Sequence, residues 1–247
     1  MKTFQSGRYI DHGCYKSFSP GFINRAWEMD DMELIVLVSE ASHQLGRLDM
    51  SFQHSQLDRA GESVEEVVKL VERLPFSSRL IKEVHQLLGQ EGRGSFKVPG
   101  TYRSSQSRAC SLTGDTDIDT ETHTFVPPYP TEIPELMSDL EKFANNLYVP
   151  LPDLVRVAIV YYQFITIYPF WEGNEEVGQW LIPLYLMSAG ILQHPVLDMS
   201  DYFEEHADQY QEHLTRVRTH NDITGWITFF LEGVIEIARR ITDRRAK

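Results

Sequence analysis

The sequence predicts a mainly α-helical domain with one extended, hairpin-like flap. Three observations carry this. From Asp30 onward, apolar residues recur at three- and four-residue spacing over most of the chain. That period lapses between Gly92 and Tyr129, where turn residues surround short Thr, Val and Phe runs. No internal repeat or low-complexity linker divides the 247 residues, which are enough for a core that needs no staples.

Taken in order, residues 1–29 are rich in Gly, Ser and aromatics and are expected to form an irregular arm over the surface. The domain proper is expected to run over 30–247. Its first helix covers MELIVLVSEASHQLGRLDM, opening behind Asp30 and Asp31, whose charge suits a helix N-terminus. A second lies in ESVEEVVKLVERL, where Val64, Val67, Val68 and Val71 share a face. A third follows Pro75, capped by Ser77 or Ser78. After the flap, at about 92–129, helices resume at Thr131–Asn145, Pro152–Ile167, Val177–Ala189, Ser200–Thr219 and Asp222–Thr242. That makes about eight helices.

Composition removes several functions. The 36 acidic and 23 basic residues give a net charge of −13, the wrong sign for a general nucleic-acid binder, whose affinity comes from neutralising phosphates. Cys14 and Cys110 form no metal or disulfide pattern. The start MKTFQSGRYIDHG lacks an apolar leader, and no apolar run is long enough to span a membrane. A cytoplasmic protein with neither nucleic-acid nor membrane partners is expected; homo-oligomers are compatible with the sequence.

Few segments carry chemistry. DTDIDTE (Asp115–Glu121) alternates acids like the start of a calcium loop. Such a loop needs Gly at its sixth position and Glu at its twelfth, and here those are Thr120 and Val126. A solvated tip is the better reading. The nine histidines are scattered, with no HxxxH pair, so they are expected on the surface or half-buried, without zinc. The arginines of ARRITDRR suit a helix C-terminus. FITIYPFWEGNEEVGQW remains. Taken locally, Pro169 ends a helix, Gly173 turns, Asn174 caps the next helix, and Glu175 and Glu176 are first-turn acids. The alternative is an anion nest at a helix N-terminus.

The segment IYPFWEGNEEVGQ resembles the Fic family motif, HPFx(D/E)GNGRxxR after an apolar helix. SEASHQLGRLD, PGTYRSSQ, FVPPYPTEIPELMSDLEKF and DITGWITFFLEGV resemble further family segments in the same order. The resemblance implies a Fic-type helical domain with a β-hairpin flap. The family's usual activity is AMP transfer from ATP to protein hydroxyls with Mg²⁺. The motif His acts as base, the acid after PFx holds the metal, GNG cradles phosphates and arginines bind them. The flap docks a protein or peptide partner, here through Tyr102, Arg103, Phe125 and Val126. No winged-helix DNA-binding extension is expected after the closing helix.

Mapped residue by residue over 168–179, the scaffold is present and the chemistry is not. Pro169, Phe170, Glu172, Gly173, Asn174 and Gly178 match, with Glu172 at the metal position. Tyr168 stands at the base, Glu175 at the second glycine, Glu176 at the first arginine and Gln179 at the later one. A phenol with a pKa near ~10 is a poor proton acceptor at neutral pH, whereas imidazole titrates near ~6.5. Glu176 for arginine turns a bidentate phosphate clamp into a repelling carboxylate. The family's inhibitory motif, (S/T)xxxE(G/N), corresponds to ASHQLG, with Ala41 and Leu45 at the hydroxyl and glutamate positions and Gly46 retained. The expected function is that of a degenerate Fic protein that binds or regulates, with ATP and Mg²⁺ implied by the family but opposed by these residues. Two alternatives stand beside it: metal-assisted chemistry at Glu172, Glu175 and Glu176, and ATP binding without transfer.

Overall fold

Helix α5 (Asp153–Ile167) is the axis of the molecule: every residue from Leu154 to Ile167 is buried. Its sequence, DLVRVAIVYYQFITI, is apolar or aromatic on every side, and such a helix belongs in a core. In this computed structural model, which describes residues 4–13, 15–51, 62–91, 96–106 and 125–245, the other helices surround it. They are α1 (Met32–Met50), α2 (Glu62–Arg73), α3 (Ser78–Glu91), α4 (Ile133–Asn145), α6 (Asn174–Ser188), α7 (Ser200–Glu205), α8 (Ala207–His220) and α9 (Ile223–Arg245). Helices α4, α6, α9 and α1 pack directly on α5, while α1 and α9 lie along one another. Among the described residues no helix is long and apolar enough to cross a membrane.

Local sequence explains the helix starts. Asp31 Oδ1 accepts from the N–H groups of Glu33 and Leu34 at 3.0 and 3.2 Å and so caps α1. Ser77 Oγ accepts from Leu80 N at 3.3 Å at the head of α3. Trp226 of α9 donates through Nε1 to the Ala158 carbonyl at 2.8 Å, and its indole stacks on Tyr161 at 5.8 Å. The run expected as one helix over Ser200–Thr219 is two, because the chain leaves helical geometry at His206 (φ −117°, ψ 34°). There the imidazole turns back to within 3.0 Å of the Tyr202 carbonyl. The described helices therefore number nine. The arginines near the C-terminus pair with acids, Arg239 with Glu40 of α1, and Arg240 with Glu205 of α7 and with Glu236 one turn back on α9 itself.

The arm departs from its expected irregular course. It forms an antiparallel hairpin, β1 (Gly7–Asp11) with β2 (Lys16–Pro20), in which Tyr9 faces Phe18. Asn221, in left-handed geometry at the end of α8, fastens the hairpin base: its side chain accepts from Ser6 N and donates to the Phe4 carbonyl, both at 2.6 Å. Phe18 is fully buried and its N–H donates to the Val126 carbonyl at 2.8 Å. The hairpin thus lies against the end of the expected flap. The described ends of that flap, 96–106 and 125–129, contain no strand; its tip and the acidic segment Asp115–Glu121 lie outside the described residues.

One buried charge stabilises the centre. Arg156 on α5 is 2% exposed and donates to the carbonyls of Phe143 at 2.9 Å and Val149 at 2.7 Å, closing the exit of α4. Arg156→Met keeps the volume and removes both charged donors, leaving the Phe143 carbonyl to Asn146 N at 3.2 Å and the Val149 carbonyl to Leu151 N at 2.8 Å. At about 1–2 kcal/mol for each hydrogen bond lost, the expected loss of stability in urea unfolding is about 2–4 kcal/mol. An unchanged midpoint would mean that the backbone donors alone satisfy those carbonyls.

Candidate functional site

The loop between α5 and α6 begins with a strained residue. Tyr168 ends α5 in left-handed geometry (φ 49°, ψ 61°), uncommon for a bulky side chain. Arg103 holds it there. Its backbone N–H donates to the Pro169 carbonyl at 2.9 Å and its Nε to the Tyr168 carbonyl at 2.8 Å. Nη2 reaches the Pro128 carbonyl at 2.6 Å and that of Ile167 at 3.4 Å. Burial pushes this guanidinium down to about 10, with Tyr168 and Glu132 opposing. Arg103, expected in the flap's docking surface, is thus 2% exposed and ties the flap's base to the loop.

The other flap residues also face inward. Tyr102 lies beneath the Lys82 ammonium, 4.1 Å from the ring centre, and burial pushes its phenol up to about 12, with Ser78 opposing. Phe125 sits under the Arg218 guanidinium at 4.2 Å, and Val126 is buried.

Asn174 closes the turn. It is fully buried, and its amide accepts from Phe170 N at 2.9 Å and donates to the Phe170 carbonyl at 3.0 Å. The expected cap is therefore displaced by one residue. Gly173 (φ 73°) is the N-cap, and α6 starts at Asn174, three residues before the expected Val177. A side chain at Gly173 is excluded twice over, by its positive φ and by the Phe96 ring, which a Cβ would meet at 2.4 Å.

The acids that follow are occupied from within. Glu175 is driven toward its neutral form by burial and then by Glu176, and held toward its charged form by its own backbone N–H and a hydrogen bond from the Tyr168 side chain. Its carboxylate thus sits at the helix N-terminus, where a bound anion would be favoured. Tyr161 and Tyr210 lie behind it, hydroxyl to hydroxyl at 3.1 Å, and both feel its charge. Gly178 is close-packed, since a Cβ there would meet Ile165 Cδ1 at 2.9 Å. Glu176 is exposed and Gln179 half-buried.

Glu172, at the metal position, is committed elsewhere. Oε2 accepts from Lys97 N at 3.1 Å, and Oε1 lies 3.7 Å from Lys97 Nζ. Among the described residues no three His, Cys, Asp or Glu side chains come together so as to hold a metal ion. On the mapping that the resemblance implies, the residues present do not fit Mg-ATP: Glu172 is paired with Lys97, Glu175 puts a carboxylate at the start of α6, and Glu176 is a carboxylate where the motif has arginine. Ala41 and Leu45 are core residues of α1, while Gly46 faces open space.

Sequence reading missed three participants. His85, expected on the surface or half-buried, is 1% exposed and stacks on Phe170 at 3.8 Å. Its Nδ1 accepts from Gly100 N at 2.8 Å, so Nε2 carries the proton and donates to the Glu172 carbonyl at 3.1 Å. Phe96 and Lys97 are the other two. The available signal was Gly89 inside α3, a residue that weakens a helix by roughly 0.5–1 kcal/mol. A Cβ there would meet Phe96 Cδ2 at 2.8 Å, so this glycine makes room for the ring.

Burial lowers the pKa of His85, with the Glu172 carbonyl and the charges of Glu176 and Glu172 opposing. A depressed folded pKa means that the unfolded chain binds the proton first. The stability due to neutral His85 is therefore complete above the unfolded value of about 6.5 and is lost as pH falls through the folded one. The stability difference between the native chain and His85→Gln, followed by urea unfolding, should be flat above neutrality and shrink on acidification. A difference independent of pH would contradict this assignment.

Comparison with known proteins agrees with the geometry. Residues 75–186 match the family model described as Fic/DOC family. A Fic family protein from Desulfovibrio desulfuricans G20 superimposes with a TM-score of 0.67 at 16% identity, covering 90% of this chain and 78% of that one. A Fic domain containing signaling protein from Bacteroides thetaiotaomicron VPI-5482 gives 0.51 at 17% identity, covering 91% and 78%. At these identities the structures establish the fold. The segment that matches the Fic/DOC family model runs from α3 to α6 and includes the loop between α5 and α6, on a fold shared with Fic family proteins.

Proposed function

We propose that this protein is a degenerate Fic protein that acts by binding a protein or peptide partner and does not transfer AMP. The observation that carries the reading is Glu175: its carboxylate accepts from its own N–H and from Tyr168 at the point where the family places phosphate. Two further features support it. Tyr168 donates a hydrogen bond to a carboxylate, the opposite of a base's task. Glu176 brings repulsion where an arginine would bring a bidentate clamp. Loss of a general base lowers rate by roughly 10²–10⁴-fold on its own, and the charge reversal weakens nucleotide binding besides.

On this reading the partner docks beside the flap, at the β1–β2 hairpin that takes up the Val126 carbonyl, and main-chain pairing at a strand edge there needs no catalytic residue.

Titration of the native chain with Mg-ATP should give no saturable heat, and labelled AMP should not enter any protein. Incorporation that disappears in Tyr168→Phe would overturn the proposal. The same substitution should raise the Glu175 pKa further, because it deletes a bond to the charged form; carboxyl NMR titration reads that directly. A Glu175 that titrates unchanged would remove Tyr168 from the role of latch.

A further inference from the structure

We propose that Phe96 and Lys97 form a second closure of the loop, separate from Glu175, so that restoring the family residues at positions 168, 175 and 176 does not reopen it. This rests on the reading of the α6 start as the family's phosphate loop.

The Phe96 ring occupies a slot between two backbones. On one side is Gly173, the N-cap of α6, where a Cβ would meet ring atoms at 2.4 Å. On the other is Gly89 of α3, where a Cβ would meet Cδ2 at 2.8 Å. His85 lines the slot, its ring centre 4.9 Å from that of Phe96. Each wall lacks the side chain that would expel the ring. Lys97 then spends both its backbone N–H and its ammonium on Glu172, at 3.1 and 3.7 Å. One dipeptide therefore covers the N-cap and neutralises the acid at the metal position.

The closure is built to be held and not to be permanent. Phe96 is half-buried, and the Lys97–Glu172 pair is exposed enough to be screened by salt. Directly after it, Val98 is held at φ 50° although it is β-branched, and Gly100 at φ 75°, so the chain turns sharply to bring Phe96 into the slot. Glu175 fills the cradle from α6 itself, whereas Phe96 and Lys97 approach from the segment after α3. Neither closure depends on the other's atoms.

The test is calorimetric titration of inorganic pyrophosphate and of Mg-ATP into Y168H/E175G/E176R, with and without F96A. The triple variant alone should show no saturable binding into the millimolar range. Adding F96A should lower the Kd at least about tenfold, with F96V falling between. Equal affinity with and without Phe96, or no binding by either chain, overturns the inference. Thermal unfolding checks that each variant is folded, and F96V carries the comparison should F96A not fold. Saturable Mg-ATP binding by the native chain would instead overturn the proposed function, and F96A in that chain would then judge the plug alone: no gain in affinity means no plug.

Discussion

Arg103 is the point on which the site's geometry depends. Its guanidinium is withdrawn from water and is satisfied by carbonyls, those of Ile167, Tyr168, Pro128 and Ser105. Two of these belong to the end of α5, where carbonyls lack intrahelical partners and the helix dipole is negative. A cation at that end is favoured twice, by hydrogen bonds and by the dipole. A left-handed turn at a tyrosine costs on the order of 1–3 kcal/mol, and such turns persist only where surroundings over-determine them. Arg103 supplies that determination. Removing it would leave Tyr168 free to return to ordinary geometry, and with it the path of Pro169, Phe170 and the whole turn into α6.

Beyond the turn, the question is what fills the N-terminus of α6. Its first N–H groups need acceptors, and the dipole asks for negative charge. Glu175 answers both, at the expense of burying a carboxylate next to Glu176. Burial raises its pKa, and the N–H and phenol bonds restrain that rise. The phenol is thus explained as part of the same solution. A histidine at position 168 would carry a titrating donor beside a buried acid, whereas tyrosine offers a donor that stays protonated at neutral pH. In this arrangement Tyr168 and Glu175 are one adaptation.

Much of this was legible in the sequence. The apolar period located the helices around α5, and the spacing of Pro169, Phe170, Gly173 and Asn174 located the loop. What escaped depended on contacts between distant segments. No period marks β1 and β2, because the hairpin is short and takes its order from Asn221 and Val126, residues more than a hundred positions away, while Asp139 holds the chain just after it at Ile23 and Asn24. His85 was indistinguishable from any histidine on a helix until Gly100 and Glu172 fixed its tautomer. Asn174 looked like a cap since Asn commonly is one, but its buried amide is used on Phe170 instead. Arg103 looked like a surface residue of a flap, and only the carbonyls around it reveal a core cation.

The loop and the flap have been treated by this chain in the same way. At the start of α6 the chain's own Glu175 meets the helix N-terminus; at the flap, the Val126 carbonyl accepts from Phe18 N of the chain's own hairpin. On the resemblance, α1 carries Leu45 where an inhibitory glutamate would stand, and α6 carries Glu176 where the arginine that meets it would stand. Leu45 is buried in the core. A glutamate there would bury a charge without the arginine that the resemblance pairs with it, so a leucine suits the core once position 176 is acidic.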